Sequence, residues 1–103
     1  MMDDWLKEYV PLWESLGSGA KDTLICLCKH GPTWDGDVPS KSGRDELLDK
    51  KMAAKIVLKN NEQGYQAATY LGSHVYHAGY VEPRKDDVRR IVGPDNAAFV
   101  RNR

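Results

Sequence analysis

Residues 47–58 read LLDKKMAAKIVL, Leu47 to Leu58, and the periodicity of the chain changes inside them. Leu47 and Leu48 form the inward pair of a helix expected from Gly43 to about Lys50, whereas Ala54-Lys55-Ile56-Val57-Leu58 is a β-favouring run. Lys59-Asn60-Asn61-Glu62-Gln63-Gly64 is rich in turn formers, and Tyr65 to Leu71 (YQAATYL) favours a strand again. Two such runs around a short polar tip predict a β-hairpin. Gly72 ends it, and Ser73 to Ala78 has room for one or two helical turns carrying Val75 and Tyr76.

Upstream, Ala20, Leu24, Ile25, Leu27 and Cys28 recur at helical spacing, a buried stripe that stops at Gly31-Pro32. Gly17-Ser18-Gly19 breaks the chain before it, with Ser18 as the expected N-cap. The connector GPTWDGDVPSKSG, residues 31–43, allows at most a short helical turn over Asp35–Ser40, because Gly36 and Pro39 interrupt it. Ser42-Gly43-Arg44-Asp45 then matches a capping box with Asp45 in the reciprocal place.

At the N-terminus, Trp5, Leu6, Tyr9, Val10, Trp13 and Leu16 make a broad apolar stripe, and Pro11 predicts a kink or break near Val10. Such a stripe either covers the domain core or forms a partner or dimer face. The last segment holds an expected short helix at Asp86–Val92 and ends in GPDNAAFVRNR, which has no clear period. The organisation expected is therefore an N-terminal amphipathic helix at 1–17, a folded domain at 18–78 and a basic, mobile tail at 79–103.

A chain of 103 residues with 41% apolar and 29% charged side chains can build one hydrophobic core and not two. It contains no apolar run of the roughly 20 residues that span a bilayer. Met1-Met2-Asp3-Asp4 is acidic where a secretory signal is basic. Cys26 and Cys28 are too close in sequence to bridge comfortably, which predicts free thiols and a cytoplasmic location. Formal net charge is zero, with 7 basic and 10 acidic residues in 1–52 and 8 basic and 5 acidic in 53–103. A protein that binds nucleic acid by neutralising phosphates usually has a basic excess, so here such binding must rest on local charge.

The order helix, turn, helix, hairpin over Ala20–Tyr76 resembles the winged helix-turn-helix family in the small form found in bacteriophages and prophages. The stripe ending at Gly31, the helix from Ser42 to Lys50, the run LLDKKMAAKIVL and the tip closing on Gly64-Tyr65 carry the likeness. Thr69 and Gly72 match the Thr-x-x-Gly that often closes the wing in such regulators. Two departures stand out: Pro39 shortens the first helix of the pair, and Lys51 sits where a glycine usually ends the second. The resemblance implies an α+β fold, a three-helix core with a β-hairpin wing, plus an N-terminal helix and a C-terminal tail.

In that family the second helix enters the major groove. With Leu47 and Leu48 inward, its opposite face holds Ser42, Asp45, Glu46 and Asp49, flanked by Lys41 and Lys50, while Arg44 and Lys51 point toward the core. Three carboxylates near phosphates repel more than they read. The expected nucleic-acid contacts are therefore Lys41, Ser42 and Lys50 toward the groove, with Lys55, Lys59, Arg89 and Arg90 on phosphates of double-stranded DNA. A homodimer through Trp5, Tyr9 and Trp13 would double that basic surface.

Other chemistry finds little support. Cys26, Cys28 and His30 alternate along a helix and cannot share a metal ion comfortably, and His74 and His77 have no nucleophile pattern beside them. Trp34-Asp35-Gly36-Asp37 lacks the terminal bidentate acid of a calcium loop. No metal, cofactor, membrane contact or enzymatic activity is expected. Two readings remain: a nucleic-acid-binding regulator or accessory factor, and a protein-interaction module acting on a host or phage protein without touching DNA. Trp34, on the connector, is either an anchor for that connector or an exposed contact for the partner.

Overall fold

The computed structural model describes residues 4–84. Helix α1 (Asp4–Glu14) is followed by α2 (Ser18–His30), strand β1 (Thr33–Trp34), a 3-10 turn (Asp35–Asp37), α3 (Lys41–Asp49), β2 (Ala53–Ile56), β3 (Tyr65–Ala68) and α4 (Tyr70–Tyr76). The last helix runs on through a π-helical turn, His77–Val81. The strands form an antiparallel sheet in the order β1-β3-β2. Thr33 pairs with Gln66 on one side of β3, and Lys55 pairs with Gln66 on the other.

The core lies where α2, α3, the sheet and α4 meet. Leu24, Leu47 and Val75 are fully buried there, with Met52 beside them. The helical stripe read from Ala20 onward is this core face: Ala20, Leu24 and Leu27 are buried, and Gly31 ends the helix with φ 82°, a conformation that costs glycine nothing. Helix α1 packs across α4 and the π-helical turn. There Trp13 is buried at 9% exposure, its indole filling the space that a side chain on Gly79 would occupy.

Several local expectations are corrected. There is no break near Val10: helix α1 continues through Pro11, which leaves the Lys7 carbonyl without its intrahelical donor, and both residues are exposed to water. Gly17, not Ser18, precedes α2, and its N–H donates to Glu46 Oε2 at 3.4 Å. Ser40, not Ser42, caps α3, accepting from the Gly43 N–H at 2.9 Å. Asp45 receives Arg44 instead of completing a capping box. Both hairpin strands are shorter than read, ending at Ile56 and Ala68.

Gly72 does not close the wing but lies inside α4. The cause is Thr69, whose Oγ1 accepts from the Gly72 N–H at 3.1 Å and donates to the Lys51 carbonyl at 2.7 Å. One threonine thus starts α4 and ties it to the end of α3. Lys51, at the usual glycine position, adopts φ 65°. The expected helix at Asp86–Val92 lies outside the described residues, as does most of the 79–103 segment.

Candidate nucleic-acid interface

The first turn of α3 is held from three sides. Ser40 caps it, the Thr23 hydroxyl donates to the Ser40 carbonyl at 3.3 Å, and buried Gly43 lies directly on the backbone of Gly19 and Ala20. These contacts fix α3 against α2 and leave Lys41 and Ser42 exposed at its start. The exposed Ser42 hydroxyl also shares a 3.3 Å hydrogen bond with Ser40 Oγ.

Charge on α3 is largely paired within the chain. Arg44 bridges Asp45 at 2.9 Å and Asp35 at 3.1 Å, with only 17% of its side chain exposed. The hydrogen bond to Asp45, with the charge of both carboxylates, raises the guanidinium pKa further. Lys50 reaches back one turn to Glu46 at 2.9 Å, and that hydrogen bond, aided by the Gly17 N–H, holds the Glu46 carboxyl below its ordinary range. Lys50, read from the sequence as a flanking cation, is thus paired within its own helix. Of the outward acids, Asp49 makes no salt bridge among the described residues.

The wing is braced by its own loop. Leu58 and Glu62 are joined at 2.9 Å, Asn61 N–H donates to the Leu58 carbonyl at 2.8 Å, and Asn60 bonds both the backbone and the side chain of Glu62. Lys55 and Lys59 are exposed on it and form no salt bridge among the described residues. Asp35 links the wing to α3: its N–H donates to the Gly64 carbonyl at 2.8 Å while its carboxylate holds Arg44. Asp35 thus joins the helix that carries Lys41 to the hairpin that carries Lys55 and Lys59.

The remaining candidates are dispersed. Arg89 and Arg90 lie outside the described residues. Arg84 stacks on the Tyr80 ring at 3.6 Å and donates to its carbonyl, while Tyr80 in turn stacks on Tyr76. Trp13, read as a partner-face residue, is turned into the core because Gly79 and Tyr80 of the π-helical turn take up its ring. Tyr9 is half-buried with its ring 5.3 Å from that of His74; the Trp5 side chain lies outside what is described. Trp34 is 48% exposed. Cys26 and Cys28 are free thiols, and burial pushes Cys28 up to about 11. No metal-ligand cluster occurs among the described residues. Nor is any helix among them long and apolar enough to cross a membrane.

Sequence reasoning missed Ser40 and the double pairing of Arg44. A second serine at 42 offered an equally good local pattern, and only the long-range contact of Gly43 with Gly19 decides between them.

No family model and no curated protein matches the chain. Solved structures do. A MarR family transcriptional regulator from Silicibacter pomeroyi superposes over 94% of this chain and 72% of its own length, with TM-score 0.62 and 18% identity. Rv1404 from Mycobacterium tuberculosis superposes over 90% and 71%, with TM-score 0.64 and 22% identity. At such identities the likeness speaks for the backbone, and with the element order above it makes the fold an α+β winged helix.

Proposed function

We propose that this chain is a DNA-binding transcriptional regulator or accessory factor of the small phage kind, a cytoplasmic binding protein and not an enzyme. The observation that carries this reading is the braced corner of α3 and wing, with Lys41, Lys55 and Lys59 exposed and free of salt bridges among the described residues. The acids that would oppose phosphate are partly occupied: Asp35 and Asp45 by Arg44, Glu46 by Lys50. What α3 offers to base edges is little more than Lys41 and Ser42, so affinity comes chiefly from the phosphate backbone. Arg89 and Arg90 add to that grip in this proposal. In this proposal a second copy docks along α1 through Tyr9 and the exposed Leu12, supplying a second corner to the same duplex.

The test is fluorescence anisotropy with a labelled duplex across a salt series. Per copy bound, the three lysine–phosphate contacts contribute about −2.7 to the log–log slope, hence roughly 40-fold weaker binding at 200 mM than at 50 mM salt, and Arg89, Arg90 and a second copy steepen it further. Lys41→Gln and Lys59→Gln should each flatten the slope by about 1. An absence of binding at low salt, or slopes that neither substitution alters, refutes the assignment.

A further inference from the structure

We propose that Trp34 and the hollow beside it form a docking site for an arginine side chain of a protein partner. The site adjoins the Asp35–Gly64 brace of the lysine corner but uses none of its lysines, and it does not depend on DNA binding.

Trp34 closes β1 opposite Tyr65 and stays 48% exposed. Its ring is seated on the backbone. A Cβ on Gly36 would fall 2.0 Å from ring atom Cζ3, and one on Gly64 would fall 3.2 Å from Nε1. The adjoining Asp35–Gly64 hydrogen bond fixes the same place. An aromatic side chain already immobilised loses little entropy when it is covered.

Next to the ring lies a hollow of about 350 Å³ lined by Pro32, Trp34, Tyr65 and Asp37, among others. Asp37 is exposed and makes no salt bridge among the described residues, whereas Asp35 is taken by Arg44. A hollow walled by an indole and a phenol ring, with an exposed carboxylate at Asp37 beside the polar groups of His30, Cys26 and Thr33, takes a cation at that carboxylate and opposes a phosphate there. A guanidinium satisfies both walls: its plane stacks on the indole and its forked N–H groups donate to Asp37. An ammonium is a point charge without that plane, so arginine is favoured over lysine. The chain already uses this stacking once, where the Arg84 guanidinium lies 3.6 Å above the Tyr80 ring.

The experiment uses the ¹⁵N-labelled full chain titrated with N-acetyl-arginine methylamide, reading the tryptophan indole N–H resonances. Trp34→Phe assigns the Trp34 signal, and buried Trp13 reports that each variant is folded. The Trp34 signal should shift and saturate with the arginine probe. The isosteric, uncharged citrulline probe should bind about two- to fivefold more weakly, and Asp37→Asn should cost the arginine probe a similar factor. Gly36→Ala, which keeps both recognising groups but drives the ring from its seat, should weaken the response as well. Equal binding of arginine and citrulline, no effect of Asp37→Asn, or a Trp34 signal that the arginine probe leaves unmoved overturn the proposal. A Trp34 signal that responds to oligothymidylate and not to the arginine probe overturns it in favour of base stacking.

Discussion

Gly43→Ala tests whether the corner that carries Lys41 is set by backbone contact between α2 and α3. A Cβ at Gly43 would lie 2.3 Å from the Gly19 carbonyl carbon, 2.4 Å from its oxygen and 2.6 Å from the Ala20 nitrogen. Ordinary carbon contacts are about 3.5–4.0 Å, so the helices must part by about 1 Å or more. Overpacking of this kind costs about 1–3 kcal/mol, toward the upper end here because backbone cannot rotate aside. Alanine's better helix propensity returns about 1 kcal/mol. The net loss is therefore about 1–2 kcal/mol, and for a domain this size the melting temperature should fall by roughly 5–15 °C. Differential scanning calorimetry measures it, with Gly17→Ala as control: that Cβ would meet only Glu46 Oε1 at 3.4 Å. If Gly43→Ala melts at or above the wild-type temperature, the close approach does not govern the packing of these helices.

Two further outcomes follow from single positions. Lys51 holds φ 65°, so Lys51→Gly should relieve backbone strain and stabilise the fold by about 0.5–1 kcal/mol in chemical denaturation, after glycine's greater unfolded-state entropy is subtracted; a lower midpoint would contradict the strain. Cys28 is raised by burial from 9.0 to about 11, so the unfolded chain sheds this proton first as pH rises. Its contribution to stability is intact below pH 9 and lost progressively between pH 9 and 11, and Cys28→Ala should remove that part of the alkaline loss. An unchanged pH profile in the variant would contradict the burial effect.

How much of this was legible depended on the range of the forces involved. The α2 stripe from Ala20 to Leu27 and its Gly31 stop are local patterns, and both appear where the periodicity puts them. The change of period across LLDKKMAAKIVL likewise separates α3 from β2 correctly. Positions decided by distant partners were not legible. Ser40 and Ser42 are equivalent caps until Gly43 meets Gly19, and Gly72 looks like a strand breaker until Thr69 bonds across to Lys51. At the candidate site, the sequence identified which lysines flank the hairpin. It could not show that Arg44 joins Asp35 to Asp45, because a face assigned at a fixed angle per residue gives no length to a side chain.

That pairing changes the weight of the acidic helix face. Counted from sequence, Asp45, Glu46 and Asp49 stand against DNA as three negative charges. In the folded chain Arg44 is shared by Asp45 and Asp35 and Lys50 lies against Glu46, so two cations face four carboxylates and the repulsion is reduced, not removed, at a Debye length of about 8 Å. The same pairings also withdraw Arg44 and Lys50 from bidentate reading of bases. Reducing the obstacle and occupying the reader are one structural event. On the proposed function, then, a single corner should bind duplexes of different sequence with closely similar affinity. Discrimination must come from the spacing of two corners in a dimer or from a bound protein partner, for which exposed Trp34 is the proposed hold.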